Sequence, residues 1–499
     1  MKKIIISIFV ISLLSVSCEF DEGYAEMNVN PRAAASIDPS YKLASVILKT
    51  SGSRYENWRS SFIHSSCLIQ HQAATWWEGN FYQSNNQDWA NALFNYAYPN
   101  QVKEVEDLRN QLIVDEDATG SRMGMTRIMR VFIYHRLTDF FGDIPYSEAG
   151  QGYITGNLTP VYDPQQDIYT DMLKELDEAI PQITANDFGA GDILYHGDIS
   201  KWKKFGYSLM LRLAMRLTKA DIAMAETYAK KAITGGTFTS NDDLAKVDHT
   251  AGPEGINKNG HGEVFSADGA VRLHETFVDY LKDHSDPRLP ILAARRSDKS
   301  TDPADLFGMP SGLGAAAIEA KYGVETDYYA EPNRAVVAGE DTPMVFQSYA
   351  EVEFLKAEAA IRGWHSGDAA THYANGVTAA MEMLGMLYPN ATIASDDISA
   401  YLAANPYDAA NGMEMIHTQF WVSSYLNEYE AFANWRRTGF PTLTPFGKED
   451  PFPGNMSNGT IPRRLLYPNN EASVNPDNFA AVLARQGPNE ITTRVWWDK

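Results

Sequence analysis

Helical periodicity that recurs in pairs is the feature that most restricts how this chain of 499 residues can fold. Apolar residues return at spacings of three and four along segments that are several helical turns long. The predicted helices cover residues 40–50, 101–113, 122–140, 166–183, 199–219, 221–234, 347–363, 367–385 and 414–437. Strand patterns are short and sparse, so we expect a mainly α fold.

Local signals at helix ends support this pairing. Asp198 can cap the helix that follows it, and Gly235-Gly236 is typical of a helix C-terminus. Small and aromatic residues in two of the pairs resemble tetratricopeptide units, whose antiparallel helices approach closely. They are Trp202, Phe205, Gly206, Leu209, Ala225, Ala229 and Ala232 in one pair, and Ala357, Ala360, Gly363, Ala369, Tyr373 and Gly376 in the other. Such pairs stack into an α-α superhelix; generic helix hairpins are the alternative.

Two irregular regions interrupt the helix pairs. Residues 72–98 combine many aromatic and amide side chains, and residues 236–345 are loop-rich. Helix pairs near residues 101–235 and 347–437 flank the second region, and no low-complexity linker separates them. We therefore predict a single domain over residues 36–499, with a tetratricopeptide-like scaffold and a large irregular half.

The N-terminus has the layout of a secretory signal. Two lysines precede an apolar run over residues 4–14, and small residues follow it up to Cys18. The run is shorter than the roughly 20 residues that a membrane-spanning helix needs. Residues 1–17 are therefore predicted to be a lipoprotein signal peptide, cleaved so that Cys18 carries lipid. The alternative is an ordinary cleaved signal in which Cys18 is incidental.

Residues 18–35 are predicted to be a lipidated, acidic tether. Glu19, Asp21 and Glu22 follow Cys18 directly. Such a cluster resembles the signal by which Bacteroidetes-type bacteria send lipoproteins to the cell exterior, and a solvated acidic linker is the alternative. If Cys18 carries lipid, Cys67 has no disulfide partner, and the core alone must stabilise the exported protein.

The net charge of −22 limits the classes of partner. So acidic a surface repels the phosphate backbone of nucleic acids and anionic lipid headgroups. A neutral ligand, or a partner held through a protein interface, fits this charge better. Nucleic-acid binding is therefore disfavoured.

Several short sequence blocks follow one another in a distinctive order. They are residues 28–31, 141–149, 286–290, 358–364 with 367–369, 435–441, 462–465, 475–479, 485–487 and 493–499. Their order resembles that of the SusD/RagB-like family of nutrient-binding outer-membrane lipoproteins, in the branch that opens with Asn-Val-Asn-Pro. The resemblance covers essentially the whole mature chain.

This resemblance implies a tetratricopeptide-like scaffold that carries an irregular ligand-binding half. Family members are lipid-anchored (palmitate on the cysteine), face the cell exterior and form a lid on a SusC-like TonB-dependent transporter. Their ligand is usually an oligosaccharide, while peptide-binding relatives are an alternative. The blocks are expected to maintain the scaffold and the transporter contact. None is a catalytic motif, so we expect neither an enzyme nor a cofactor.

Sugar chemistry selects candidate ligand-binding residues within the irregular regions. Sugars present apolar C–H faces and a rim of hydroxyl groups, which suit aromatic platforms and amide partners. The candidates are Trp76, Trp77, Tyr82 and Trp89 as platforms, Asn80 and Gln83 as polar partners, and Tyr328 and Tyr329 from the second region. The alternative is that these rings only attach loops to the core.

Other groups of polar residues give weaker indications of a functional site. His64 and His71 lie seven residues apart and could share a helix face, but two histidines without a third ligand rarely bind metal. Residues 115–117 form an acidic turn that is better explained as a solvated helix end. A surface glycoside hydrolase would need two carboxylates across a cleft, and no pattern selects such a pair. We therefore predict no metal site.

Overall fold

A computed structural model describes residues 37–252, 257–446 and 454–499. The predicted signal peptide, Cys18, the tether and the block at residues 28–31 lie outside the described residues. Within the described ranges, every helix is too short or too polar to span a membrane.

The structure is mainly helical, as predicted. The α-helices of eight or more residues are Pro39–Thr50 (α1), Lys103–Val114 (α2), Ser121–Phe141 (α3), Gln165–Gln182 (α4), Ile199–Arg216 (α5), Ile222–Gly235 (α6), Gly260–Ala267 (α7), Glu275–Asp283 (α8), Ala315–Tyr322 (α9), Tyr349–Ile361 (α10), Ala369–Leu387 (α11), Ser395–Ala404 (α12), Gly412–Ser423 (α13), Glu428–Thr438 (α14) and Pro476–Gln486 (α15). A π-helical segment, Asn57–Ser66, precedes the first irregular region.

In the part of the chain that the structure describes, the strands are short and form four antiparallel pairs. They are Gln72–Ala73 (β1), Ile144–Pro145 (β2), Tyr162–Asp163 (β3), Ala245–Val247 (β4), Arg272–Leu273 (β5), Ala293–Arg295 (β6), Ala330–Pro332 (β7) and Met344–Gln347 (β8). β1 pairs with β5, β2 with β3, β4 with β8, and β6 with β7. Each pair therefore fastens one loop to another, and the helices form the scaffold.

The predicted helix pairs are present and pack in sequence. α1 packs on α2, α3 on α4, α5 on α6 and α10 on α11, and α5 contacts both α4 and α10. Gly206 of α5 lies so close to Ile180 and Ile128 that a Cβ would come within 3.0 Å of each. A Cβ on Gly376 of α11 would likewise approach Phe354 of α10 to 2.6 Å. The small residues thus permit the close helix packing that the sequence indicates.

One helix prediction needs correction, and the sequence pattern does not predict five of the helices: α7, α8, α9, α12 and α15. The single helix expected over residues 414–437 is two helices, α13 and α14, because the chain turns at Leu426 with φ of +69°. The carboxylate of Glu428 accepts the Leu426 N–H at 3.1 Å and holds this turn. α12 was not predicted, because only Ile398 and Tyr401 of its ten residues are buried and its apolar pattern is correspondingly weak.

Buried ion pairs connect the scaffold helices. Glu358 of α10 is fully buried and accepts hydrogen bonds from both terminal nitrogens of Arg437 of α14, at 2.8 and 2.7 Å. His417 of α13 lies 3.0 Å from the same carboxylate, and Arg362 reaches it from the surface at 2.8 Å. Two of the sequence blocks, residues 358–364 and 435–441, therefore meet inside the core.

Candidate functional site

The two irregular regions of the sequence lie side by side. β1 pairs with β5, so Ala73 lies opposite Arg272. Ala73 also packs with Met309, Ile318 and Tyr329 in a small apolar cluster beside the main core. This attachment sets the start of the segment that continues into Trp76 and Trp77.

The segment 76–89 is fixed by backbone contacts. The backbone of Gly79 lies against Ile63 in the π-helical segment, and the Asn80 carbonyl accepts the Gly312 N–H at 2.9 Å. Tyr82 has a left-handed backbone with φ of +52°, and its carbonyl accepts the Met456 N–H at 2.9 Å. The loop is therefore held in one path before any ligand is bound.

An aromatic platform forms on this surface from Tyr55, Trp58, Trp76 and Trp89. The ring centroids are 6.4 Å apart for Tyr55 and Trp58, 6.0 Å for Trp58 and Trp76, and 5.6 Å for Trp76 and Trp89. Tyr55 is 54% exposed and Trp76 is 41% exposed, while Trp58 and Trp89 are half-buried. Trp76 packs edge to face on both Trp58 and Trp89, which makes this apolar surface rigid.

The buried carboxylate of Asp268 holds the rings of the platform in place. Asp268 accepts the indole N–H of Trp58 at 3.1 Å and that of Trp77 at 3.0 Å. Its other oxygen accepts the Ala270 N–H at 2.8 Å. Asp268 is buried, and these three donors compensate its charge. These bonds fix the orientations of Trp58 and Trp77. The Trp76 ring packs on Trp77 and is thereby held as well.

Two guanidinium groups border the platform. Arg54 lies 5.4 Å from the Tyr55 ring centre and 5.8 Å from that of Trp58, and Arg59 lies 5.1 Å from Tyr55. Among the described residues, neither arginine makes an ion pair. Nη1 of Arg59 donates to the Asp88 carbonyl at 3.3 Å, and the Nε atoms of both arginines are buried. The remaining Nη groups can donate to the hydroxyl groups of a ligand that rests on the rings.

The structure divides the eight predicted ligand-binding residues. Trp76 and Trp89 belong to the platform, and Gln83 is half-buried in the adjoining loop. Tyr328 is 37% exposed and stacks on Phe307, with centroids 5.1 Å apart.

The other four predicted side chains are buried, and their assignment needs correction. Trp77 and Asn80 have no exposed surface, Tyr82 is 1% exposed, and Tyr329 is 5% exposed. Trp77 stacks on Phe62, and Tyr82 packs on Phe446 with centroids 3.9 Å apart. In this conformation these side chains support the loops and offer no ring face to a ligand.

Tyr55 and Trp58 were missed in the sequence. They lie three residues apart, with Arg54 and Arg59 beside them, on a helical segment that precedes the aromatic loop. That spacing places both rings on one face of a helix. Two aromatic residues on one helix face, flanked by arginines, are therefore the pattern in the sequence that could have indicated this part of the site.

Replacing Gly79 by alanine is expected to displace the loop that carries Trp76. A Cβ at this position would lie 2.1 Å from the Ile63 carbonyl oxygen, which is backbone and cannot rotate away. We expect the free energy of unfolding to fall by about 1–3 kcal/mol, as measured by denaturant unfolding. Gly252→Ala is the matched control because nothing lies within 4 Å of its Cβ position and it lies in no helix. Equal stability of the two variants would contradict the close contact.

Glu56, next to Tyr55, gives stability an unusual pH dependence. Burial raises the pKa of Glu56 to about 8, and Arg136 opposes this only in part. The folded state thus binds a proton that the unfolded chain has lost, so stability declines between about pH 4.5 and pH 8. Glu56→Gln removes this loss. We expect its melting temperature, relative to that of the wild type, to rise from about pH 5 to about pH 8.5 in a calorimetric series; a constant difference would contradict the assignment.

A buried cluster of His135, Asp139 and Glu430 has the spacing of metal ligands. Arginines already neutralise it, however: Arg216 lies 3.3 Å from Asp139 and 2.7 Å from Glu430. Arg212, 3.4 Å from the His135 ring, adds to the burial that holds the pKa of His135 well below its ordinary value. These cations disfavour a metal ion, and the cluster joins scaffold helices.

Comparison with known proteins identifies the family. The family model for SusD-like proteins, described as "Starch-binding associating with outer membrane", matches residues 31–468. The chain therefore belongs to the SusD-like family, and its helical scaffold is the tetratricopeptide-like fold of that family. No curated protein sequence matches the chain.

Solved structures give the same assignment. A chitin-binding protein is 34% identical, with a TM-score of 0.82, and the match covers 93% of this chain and 100% of that one. A Bacteroidetes SusD-like protein, AC2a, is 26% identical with a TM-score of 0.80 over 93% and 100% of the two chains. A chitin-binding SusD homolog from Flavobacterium johnsoniae shares the fold at 23% identity and a TM-score of 0.78, over 92% and 98%.

Proposed function

We propose that this chain is a non-catalytic, carbohydrate-binding lipoprotein of the outer membrane that captures oligosaccharide at the cell exterior. The observation that carries the proposal is the aromatic platform of Tyr55, Trp58, Trp76 and Trp89. Its exposed rings match the C–H faces of pyranose units, and Arg54 and Arg59 match the hydroxyl rim. Starch and chitin, which occur in the descriptions of the family and of its relatives, are the first polysaccharides to test.

The carboxylates beside the platform support a binding role. Asp268 accepts two indole N–H groups and one backbone N–H, and Glu78 accepts the Asn86 N–H at 2.9 Å. A glycoside hydrolase needs one carboxyl group free to donate a proton and another free to act as a base or nucleophile. Asp268 is committed to holding the rings, and one oxygen of Glu78 holds the loop.

Peptide capture is the second candidate. A peptide site depends on main-chain hydrogen bonds along an open strand edge or groove. The exposed flat rings favour sugar instead. The test is a binding series by isothermal titration calorimetry with maltohexaose, chitohexaose and a mixture of hexapeptides. Binding of an oligosaccharide without its hydrolysis supports the proposal. Hydrolysis, or binding of peptide alone, contradicts it.

We also propose that the chain delivers its ligand to a SusC-like TonB-dependent transporter, held beside it by lipid on Cys18. A tether raises the effective concentration of a lid at its transporter even while the lid is open. We expect Cys18→Ala to release the protein from the membrane fraction and to abolish uptake of the oligosaccharide by cells. Normal uptake by that variant would contradict the need for the tether.

A further inference from the structure

A cleft lies on the helical scaffold, and none of the residues of the aromatic platform lines it. It has a volume of about 470 Å³ and is lined by side chains from α8, α11, α12 and α13. We call it the tyrosine cleft, after Tyr280 of α8, Tyr373 of α11 and Tyr401 of α12. Sites for small ligands occupy about 300–1,000 Å³, so the cleft has the size of one.

A buried polar relay lies behind the tyrosine cleft and reaches it through Tyr280 and Tyr401. Asp286 binds the guanidinium of Arg288, which donates to the Gln419 side-chain carbonyl at 2.8 Å. The amide nitrogen of Gln419 then donates to the hydroxyl oxygens of Tyr280 at 3.1 Å and Tyr401 at 2.8 Å. Asp286 and Arg288 belong to the sequence block at residues 286–290. The relay therefore gives that block a role in orienting two tyrosines of the cleft.

The relay leaves hydrogen-bonding capacity in the cleft. Both tyrosine oxygens accept from Gln419, and one hydroxyl can donate to the other, so at least one O–H remains for a ligand. The Asn405 amide nitrogen donates to the carbonyls of His284 and Tyr401, which leaves its oxygen as an acceptor. The His284 ring uses Nδ1 on the Tyr280 carbonyl at 2.8 Å, which leaves Nε2.

Ring surfaces and charge select the class of ligand. The rings of Tyr280 and His284 stack with centroids 4.2 Å apart and are half-buried, so they offer an apolar face. The charged residues among those lining the cleft are Asp408 and Glu414, and no lysine or arginine of the described ranges lines it. Anions are therefore disfavoured. Aromatic faces with free donors and acceptors suit a neutral, polyhydroxylated ring.

We propose that the tyrosine cleft is a second saccharide-binding site, separate from the aromatic platform. The inference rests on the proposed carbohydrate-binding function. A chain with two sites would hold a long polysaccharide at two places and gain avidity without tighter individual contacts.

Met415 lines the cleft and provides a local probe. The mature chain would be labelled with ¹³C-methyl methionine, and the Met415 signal assigned by comparison with Met415→Leu. Chitohexaose and maltohexaose would be titrated in turn, with calorimetry in parallel. We expect the Met415 signal to shift and saturate with one of the two, and to do so equally in a Trp58→Ala/Trp76→Ala variant.

The double variant Tyr280→Phe/Tyr401→Phe keeps both rings and removes the hydroxyl groups. We expect it to weaken saturation of the Met415 signal about tenfold, while Tyr41→Phe, at an exposed tyrosine elsewhere, leaves it unchanged. Glu414→Gln removes a charge but keeps the size of the side chain and a carbonyl acceptor, so with a neutral ligand it should weaken saturation less than the double variant does. If hexameric glucosamine bound in preference and Glu414→Gln abolished this, the cleft would be a cation site and the inference wrong.

The remaining outcomes separate the two proposals. Binding detected by calorimetry without a change in the chemical shift of Met415 would overturn the second site and would remain consistent with the proposed function. The Met415 signal could instead shift while calorimetry gives the same binding for the wild type and for Trp58→Ala/Trp76→Ala. That result would support the site in the tyrosine cleft and overturn the site on the aromatic platform. No binding of either oligosaccharide by either method would overturn both.

Discussion

Replacing Arg437 by methionine is expected to lower the free energy of unfolding by about 3–5 kcal/mol. The substitution leaves Glu358 fully buried without the two charged hydrogen bonds that compensate it. It also breaks the connection between α10 and α14, two helices at the centre of the scaffold. Denaturant unfolding followed by circular dichroism measures the change.

Arg362→Met is the matched control for this prediction. Arg362 contacts the same carboxylate, but its side chain is 28% exposed, so its loss should cost about 1 kcal/mol or less. Similar losses for the two variants would contradict the importance of burial.

The loss in free energy of unfolding caused by Arg437→Met should also depend on pH. Although burial raises the pKa of Glu358, Arg437 and then His417 hold it well below its usual range. Stability from this carboxylate is present above about pH 4.5 and is lost as the pH falls towards the lowered pKa of the folded state. The difference between wild type and Arg437→Met should therefore shrink in acid. A difference that grows below about pH 4.5 would contradict this account.

Replacing Trp76 by alanine is expected to weaken oligosaccharide binding by about 2–4 kcal/mol, or roughly 30- to 1,000-fold. Trp76 contacts Trp58, Trp77 and Trp89, so its removal takes away an exposed ring face and loosens the rings beside it. Isothermal titration calorimetry with the oligosaccharide that the wild type binds measures the loss.

Tyr41→Ala is the matched control for Trp76→Ala. Tyr41 is 74% exposed on α1 and is not part of the platform, so its removal should leave the affinity unchanged. The Trp76→Ala variant should keep the melting temperature of the wild type within a few degrees. Full affinity in Trp76→Ala, or an equal loss in Tyr41→Ala, would contradict the assigned site.

The scaffold could be predicted because its signals are local. Asp198 caps α5 by accepting the N–H groups of Ser200 and Lys201, and Gly236 ends α6 with a positive φ, as their positions in the sequence indicate. The break between α13 and α14 could not be predicted, because Leu426 takes a left-handed conformation without a glycine or proline nearby. The Glu428 carboxylate that holds the turn also contacts His71, 357 residues away.

The candidate site could be predicted only in part. Trp76 and Trp77 are neighbours of the same type, yet one is 41% exposed and the other fully buried. In an irregular loop no periodicity indicates which of the two faces solvent. The choice depends on Asp268, which lies 191 residues away and accepts the Trp77 indole N–H. The sequence therefore identifies the aromatic loop but not the rings that face outward.

The most direct test of carbohydrate binding at the platform is a crystal structure of the mature chain with a saturating oligosaccharide, chitohexaose or maltohexaose, according to which one binds in solution. We predict a pyranose ring stacked on Trp76 with its hydroxyl groups within hydrogen-bonding distance of Arg54 or Arg59. An oligosaccharide bound elsewhere on the chain, with the rings of Tyr55, Trp58, Trp76 and Trp89 left bare, would contradict the assignment.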